Sequence, residues 1–175
     1  MSLSPINDKK YKWISAYYFF SSIIGLYSLS VMLVNTSLSL LIWTMFLIMY
    51  FQLIVMAIGA VLYWQRKLTG AKILSWVSLS LIPLIVTPML IYIPKWTAGF
   101  AIFHQTFYTH THLGFEFFIF GDITFNILRD IGWGLGINFI ELALFFRFRR
   151  IIKENQSPPL NLKTYVPQHN ESNDN

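Results

Sequence analysis

The sequence predicts an all-α membrane protein: a four-transmembrane-helix bundle with a small extracytoplasmic β-hairpin-like cap between helices 3 and 4 and a disordered C-terminal tail. Three observations support this prediction. Charged residues form only 12% of the 175-residue chain, whereas soluble domains carry about 25%. The mean hydropathy is +0.52, and 18% of the residues are aromatic. Residues 13–65 contain no Lys, Arg, Asp, Glu or His, and about 20 apolar residues are enough to cross the hydrocarbon core of a bilayer.

The charge-free run is long enough for two crossings, and a polar cluster divides it. Asn, Thr and Ser residues between positions 35 and 39 favour a turn. We therefore expect helices at residues 14–34 and 40–64, forming a hairpin. Gly25 and Gly59 lie within these helices, where small residues let neighbouring backbones approach closely in lipid.

Two further apolar stretches predict helices at residues 73–93 and 124–148. Pro83 and Pro88 fall inside the first of these, and we expect them to bend it, because each proline removes a backbone donor. The second contains a Gly132-x-x-x-Gly136 pattern. This spacing is typical of a groove for close helix contact.

The outer segment, residues 95–123, is too apolar for an ordinary loop. Large apolar residues recur at every second position in residues 113–121, which are rich in residues that favour strands. Residues 98–104 could pair with them. We expect a hairpin resting on the outer ends of the helices. A pair of short interfacial helices is the alternative.

The composition changes after Lys153, where Asn, Gln, Ser and Pro replace the large apolar residues. Such a segment cannot bury enough surface to offset its ordering entropy. We therefore expect one transmembrane domain over residues 1–152 and a disordered cytoplasmic tail over residues 153–175.

The placement of cations predicts the orientation. With four crossings and both termini in the cytoplasm, only Lys95 and Arg129 of the 13 Lys and Arg residues lie outside. Cytoplasmic flanks are enriched in Lys and Arg, so this topology is favoured, and we expect it in the bacterial inner membrane. A fifth crossing over residues 96–120 would bury three histidines and Glu116 in hydrocarbon, which is costly.

Several functional classes are excluded or disfavoured by composition and motif. The chain has no cysteine, which excludes disulfides, thiolate catalysis and cysteine-based metal sites. Its net charge of +5 comes from residues at the ends of apolar runs, so we predict no nucleic-acid binding. Phosphate-binding, nucleophile-elbow and zinc-protease motifs do not occur in the sequence. We therefore predict a protein that is not an enzyme and has no cofactor.

A group of polar residues in the outer segment is the candidate metal site: His104, His110, His112 and Glu116. The His-x-His spacing can offer two imidazoles to zinc or another divalent metal from one strand. The alternative is that these residues are ordinary polar groups on the water-facing side of a hairpin.

Glu141 is the most costly residue to place in lipid, at about 2.5–3.5 kcal/mol on insertion scales. Asn138 precedes it by three residues and shares its helix face, while Gln52 lies at the midpoint of the second helix. Hydrogen bonds between helices are one interpretation of these three intramembrane polar residues. A path for protons or ions is the second, and an ion pair between Glu141 and Arg147 or another cytoplasmic arginine is the third.

The expected function is that of a non-catalytic accessory, assembly or scaffold subunit. Its expected partners are the lipid bilayer and other membrane proteins, or itself as a homo-oligomer. One alternative is a small transporter or channel subunit that uses Glu141, Asn138 and Gln52. Another is a metal-binding membrane protein that uses His104, His110 and His112.

Overall fold

The computed structural model describes residues 8–35, 40–87, 91–93, 95–107, 110–119 and 133–156. These residues form four helices, two of them long and apolar, and a small antiparallel sheet. In chain order the elements are α1 (Asp8–Asn35), α2 (Leu40–Trp64), α3 (Leu68–Leu81), β1 (Pro83–Val86), β2 (Ile91–Tyr92), β3 (Gly99–Phe107), β4 (His110–Phe118), β5 (Trp133–Asn138) and α4 (Phe139–Gln156).

Helices α1 and α2 are the two helices of the described chain that are long and apolar enough to cross a membrane. The predicted bounds 40–64 of the second helix are confirmed, and the first begins earlier than predicted, at Asp8. Only 28% of the apolar window of α1 and 33% of that of α2 are buried inside the chain. Most of their apolar surface therefore faces outward.

A tight turn joins α2 to α3. Lys67 N donates to Leu62 O and Arg66 N donates to Tyr63 O, each at 3.0 Å. These are the two hydrogen bonds that define a Schellman motif. Arg66 takes the left-handed conformation that this motif requires, with φ 58°. At Gly70 an added Cβ would lie 2.2 Å from Tyr63 N. The two helices can therefore approach this closely only because residue 70 has no side chain.

The predicted third helix is wrong over its second half. Helix α3 ends at Leu81, and Pro83 opens strand β1. Proline supplies no donor and its ring collides with the carbonyl four residues earlier, so the helix stops here instead of bending. The following Leu84-Ile85-Val86 is rich in β-branched residues, which favour a strand.

The predicted fourth helix is wrong in its described N-terminal part. Residues Trp133–Asn138 form β5, with alternate exposed and buried positions, and α4 begins only at Phe139. Large residues alternate with Gly134, Gly136 and Asn138, a period of two that suits a strand. Gly136 lies in β5 and not in a helix, so the predicted helix groove is absent there. Position 132 lies outside the described residues. Helix α4 also continues to Gln156, into the predicted tail, and residues 157–175 lie outside the description.

The sheet has the order β2-β1-β5-β3-β4, and every neighbouring pair is antiparallel. The expected pairing of the two segments is confirmed as the hairpin β3–β4, whose register runs without interruption from Gly99↔Phe118 to Phe107↔His110. Strand β1 follows α3 and β5 precedes α4, and the two strands pair with each other. The sheet therefore connects the two shorter helices.

The four helices share one apolar core that includes Tyr18, Leu53, Leu74 and Phe148. Their basic flanks meet at one end of this core. Arg66 Nε donates to the hydroxyl of Tyr11 at 3.0 Å, which ties the end of α2 to the start of α1. The rings of Phe148 and Tyr63 are 5.5 Å apart, so the basic part of α4 lies at the same end.

Candidate functional site

The fully buried carboxyl group of Glu141 is the centre of the candidate site. Its Oε2 accepts a hydrogen bond from the hydroxyl of Tyr18 at 2.7 Å, and its Oε1 lies 3.2 Å from the hydroxyl of Tyr17. The hydroxyls of Tyr18 and Ser78 are 2.5 Å apart. Helices α1, α3 and α4 are thus joined through polar groups, and we name Tyr17, Tyr18, Ser78, Asn138 and Glu141 the polar cluster.

Asn138 fixes the position of Glu141. It is the last residue of β5, and its Oδ1 accepts from Ile140 N at 3.1 Å and from Glu141 N at 3.5 Å. Asparagine is among the preferred residues at a helix N-terminus, because its side chain satisfies amide groups that have no partner within the helix. The backbone of Asn138 in turn donates to Ile82 O at 2.9 Å. The first turn of α4 is therefore anchored to the end of α3.

The segment before β3 closes the cluster from another side. The hydroxyl of Tyr17 lies 3.1 Å from Ala98 O as well as near Glu141, so one hydrogen is shared by two acceptors. The Thr97 hydroxyl adjoins the carboxyl but lacks the geometry of a hydrogen bond. Within the described part of the chain, three buried polar atoms have no hydrogen-bond partner: Trp96 Nε1, Thr97 Oγ1 and Asn138 Nδ2.

The partners of Glu141 are hydroxyl and amide groups. Tyrosine and serine hydroxyls are neutral donors and acceptors, so this arrangement links three helices through hydrogen bonds between uncharged groups and the carboxyl group. Burial without hydrogen bonds would be expensive for a carboxyl group. The polar cluster offsets that cost by giving each carboxyl oxygen a hydroxyl partner.

Gln52, the third predicted polar residue, belongs to a different contact. Its Nε2 donates to Ser80 Oγ at 2.8 Å, between α2 and α3. The hydroxyl of Tyr92 donates to Ser80 O at 3.0 Å in the same region. The structure therefore brings Asn138 and Glu141 together, but as a strand end that caps a helix and not, as expected, as neighbours on one helix face. It gives Gln52 separate partners.

The predicted packing glycines lie at close contacts inside the chain. A Cβ at Gly25 would lie 2.7 Å from Leu53 Cδ2, and one at Gly59 would lie 2.7 Å from Ile73 Cγ2. Gly136 also lies at a close contact, but in the sheet, where a Cβ would meet Phe103 Cδ1 at 2.7 Å. These positions therefore serve packing within one copy of the chain, and Gly132 lies outside the described residues.

The candidate metal ligands do not share one face of the sheet. Position 104 is opposite Leu113, and His104 is exposed. Position 116 is opposite Ala101 on the other face, where Glu116 forms an ion pair with Lys95. Among the described residues, no three His, Asp or Glu side chains lie close enough to hold a metal ion. The side chains of His110 and His112 lie outside the description, so the metal site stays a prediction.

The sheet presents an apolar face to the outside. Trp133 and Leu135 of β5 and Phe115 and Phe117 of β4 are each about two-thirds exposed, between 65% and 68%. The register places these residues on the same side, because Leu135 is opposite His104, which is opposite Leu113. We name Leu113, Phe115, Phe117, Trp133, Leu135 and Ile137 the outer apolar face.

Comparison of the chain with protein-family models, with curated proteins and with solved structures finds no match.

Proposed function

We propose that the chain is a multi-pass integral membrane protein that serves as a non-catalytic assembly or scaffold subunit for membrane proteins. One observation carries the proposal. Large apolar side chains cover the outward surface of the molecule, whereas the buried acid is engaged by hydroxyls of the chain's own helices. The surface is suited to lipid and protein contact, and the polar cluster is suited to holding helices together.

The outward surface supports the membrane assignment. Phe20 of α1 and Phe51 of α2 are 58% and 70% exposed, and many apolar neighbours are exposed with them. Soluble monomers rarely expose a continuous apolar patch larger than a few hundred Å². Lipid removes the cost of such a surface, so α1 and α2 are proposed as two transmembrane helices.

The other two crossings combine a helix with a strand in this proposal. Helix α3 has 14 residues and is about 21 Å long, shorter than the hydrocarbon core of about 30 Å. Strand β1 would continue the crossing that α3 begins, and β5 would lead into α4. Strand β5 is paired on both sides, and β1 is paired with β5 along its length and with β2 at Ile85 and Val86. This pairing supports the proposal, because backbone groups in a membrane must be satisfied by protein.

The basic flanks support the orientation. Arg66, Lys67 and the cations of α4 lie at the end of the bundle where α1 begins. In the proposed topology this end, with both chain termini, is cytoplasmic. Because β3 pairs with β5 along the length of β5, the hairpin β3–β4 extends outward beside the crossing strands. Its far end, at Thr106 and Thr111, is then proposed to form the outer cap, and a bacterial inner membrane is the proposed location.

Photo-cross-linking tests the assembly role. A photoreactive residue placed at Phe20 or Phe51 in the full chain, in native membranes, is expected to give a discrete adduct with the same membrane protein from both sites. Leu53 is the matched control, because it is fully buried on the same helix as Phe51 and should give no adduct. Adducts with lipid alone at both exposed sites would contradict the assembly role.

The unpartnered polar atoms favour a second candidate, a small transporter or channel subunit. Trp96 Nε1, Thr97 Oγ1 and Asn138 Nδ2 are buried without a hydrogen-bond partner among the described residues, and buried groups of this kind commonly bind water. Proton and ion flux into liposomes would test this candidate. If the chain is a transporter or channel subunit, the Glu141→Gln variant should lose this flux. The Gln52→Leu variant, which is outside the polar cluster, should keep it. Absence of flux in the unmodified protein would eliminate it.

A further inference from the structure

We infer that a second copy of this chain pairs with β4, so that the two sheets join across a two-fold axis at Gly114. Strand β4 is at the edge of the sheet, and within the described residues it pairs only with β3. The inference rests on the proposed assembly role and names its partner as an identical chain.

Among the described residues, the outer edge of β4 has few of the features that normally prevent strand pairing. Proteins protect long edge strands with charged residues, especially lysine, with proline or with a bulge. The nine residues of β4 contain no Lys, Arg or Pro, their register with β3 has no bulge, and their one carboxylate, Glu116, is paired with Lys95. The other edge strand, β2, has only two residues. The long edge alone is therefore suited to pairing, which gives a closed dimer and not a filament.

The sequence of β4 is compatible with pairing to itself. Gly114 is the midpoint of His110–Phe118, and an antiparallel pair centred there uses all nine residues of both strands. In this register Leu113 of one copy is opposite Phe115 of the other, and Thr111 is opposite Phe117. Leu113 and Phe115 are 64% and 67% exposed in one copy. The outer apolar face would continue across the axis with aliphatic–aromatic pairs, a favourable type of cross-strand contact.

The opposite face has polar positions in the same register. Position 112, a histidine, is opposite position 116, a glutamate, of the second copy, and the symmetry repeats this pair. The Glu116 side chain is 38% exposed beside Lys95, so it can accept a further hydrogen bond.

Cysteine cross-linking tests the register directly, because the natural chain has no cysteine. Full-length Leu113→Cys and Phe115→Cys variants, expressed together in membranes and oxidised, are expected to form a disulfide-linked heterodimer. Leu113→Cys alone should cross-link poorly, because directly opposed strand positions satisfy disulfide geometry and positions two residues out of register do not. Leu135→Cys is the matched control on the same face of β5, away from the edge. Equal cross-linking of Leu135→Cys and the mixed pair would overturn the inference.

Measuring the mass of the particle, with and without a charged residue at the edge of β4, tests the dimer. In detergent, light scattering coupled to size-exclusion chromatography is expected to give twice the chain mass for the natural protein. Leu113→Lys is expected to halve it, whereas Leu135→Lys, equally exposed but away from the edge, should keep the dimer. A natural protein that is monomeric at every concentration, with no cross-link of the mixed cysteine pair, refutes the dimer. The photo-cross-links from Phe20 and Phe51 would be unaffected by that result, so failure of the dimer is distinguishable from failure of the assembly role.

Discussion

At the scale of single residues, the buried carboxyl of Glu141 is the most demanding group in the described structure. Its burial is stabilised by a connected set of hydrogen bonds, because the hydroxyl of Tyr18 bonds both Glu141 and Ser78. A hydrogen bond of this type contributes about 1 kcal/mol net, whereas a buried group left without its partner costs about 1–3 kcal/mol. Loss of either partner is therefore more harmful than loss of both.

This asymmetry predicts coupling between Glu141 and Tyr18. Glu141→Leu and Tyr18→Phe are each expected to lower the free energy of unfolding by about 1–3 kcal/mol. The double variant should lose at least about 1 kcal/mol less than the sum, as contacting residues in one network do. Unfolding by denaturing detergent measures the cycle. Tyr18→Phe combined with Gln52→Leu is the control and should be additive, because Gln52 bonds Ser80.

Gly70 gives a second prediction at this scale. An added Cβ would lie 2.2 Å from Tyr63 N and 2.7 Å from Leu62 C, both backbone atoms that cannot move without opening the α2–α3 turn. Gly70→Ala is therefore expected to destabilise the fold by about 3 kcal/mol or more, at the upper end of overpacking costs. Gly114→Ala has open space around it and should change stability by no more than about 0.5 kcal/mol. Equal thermal stability of the two variants would contradict the close contact.

Sequence reasoning identified only part of the polar cluster. Glu141 and Asn138 were predictable as polar residues in an apolar run, but the reason given for their contact, a shared helix face, was wrong, because Asn138 ends β5. Tyr17, Tyr18 and Ser78 were missed, since tyrosine near the end of a membrane helix usually marks the lipid–water interface. Two adjacent tyrosines and a serine spacing of three between Ser75 and Ser78 were the available signals. Only the packing of α1 against α3 and α4 gives them their role.

At the scale of elements, the long helices were predictable and the helix–strand junctions were not. Residues 13–65 have no charge to interrupt them, so α1 and α2 follow from hydropathy alone. Short apolar runs such as Leu84-Ile85-Val86 are ambiguous between a buried helix and a buried strand. For β5 the alternation of Trp133, Leu135 and Ile137 with small or polar residues was present in the sequence. The prediction gave more weight to total hydropathy than to this period of two.

The α2–α3 turn gives a prediction at this scale. Arg66 occupies the left-handed position of the Schellman motif, with φ 58°, where glycine is normally favoured. It also donates to Tyr11 at 3.0 Å and lies over that ring at 5.1 Å from its centre. Arg66→Ala and Arg66→Gly both remove these contacts, but only alanine keeps the conformational strain. We expect Arg66→Gly to be more stable than Arg66→Ala by about 1 kcal/mol, measured by thermal unfolding. The reverse order would show that the turn has another conformation.

At the scale of the whole molecule, charge and apolar surface are arranged along one axis. The basic flanks of α1, α2 and α4 meet at one end, and the hydrogen bond between Arg66 and Tyr11 fixes two of them there. Glu141 and its partners join the helices inside the bundle, and strands β1 and β5 extend from α3 and α4. The far ends of the strands, where Thr106 is opposite Trp133, are thus distant from the basic end. A membrane-spanning molecule with this arrangement has its basic flanks on one side and the far end of its hairpin on the other.

Labelling of single cysteines tests that arrangement, because the natural chain provides a cysteine-free background. Lys67→Cys and Gln156→Cys are at the basic end, and Thr106→Cys is near the tip of the hairpin; all three positions are exposed. A membrane-impermeant maleimide applied to intact cells is expected to modify Thr106→Cys alone, because basic flanks are retained in the cytoplasm. In inverted vesicles the pattern should reverse, and permeabilised cells provide the control for reactivity.

Labelling of Lys67→Cys together with Thr106→Cys from one side of an intact membrane would contradict the four proposed crossings. The polar cluster could still hold the helices together in that case, because its hydrogen bonds depend on packing within the chain and not on the direction of insertion.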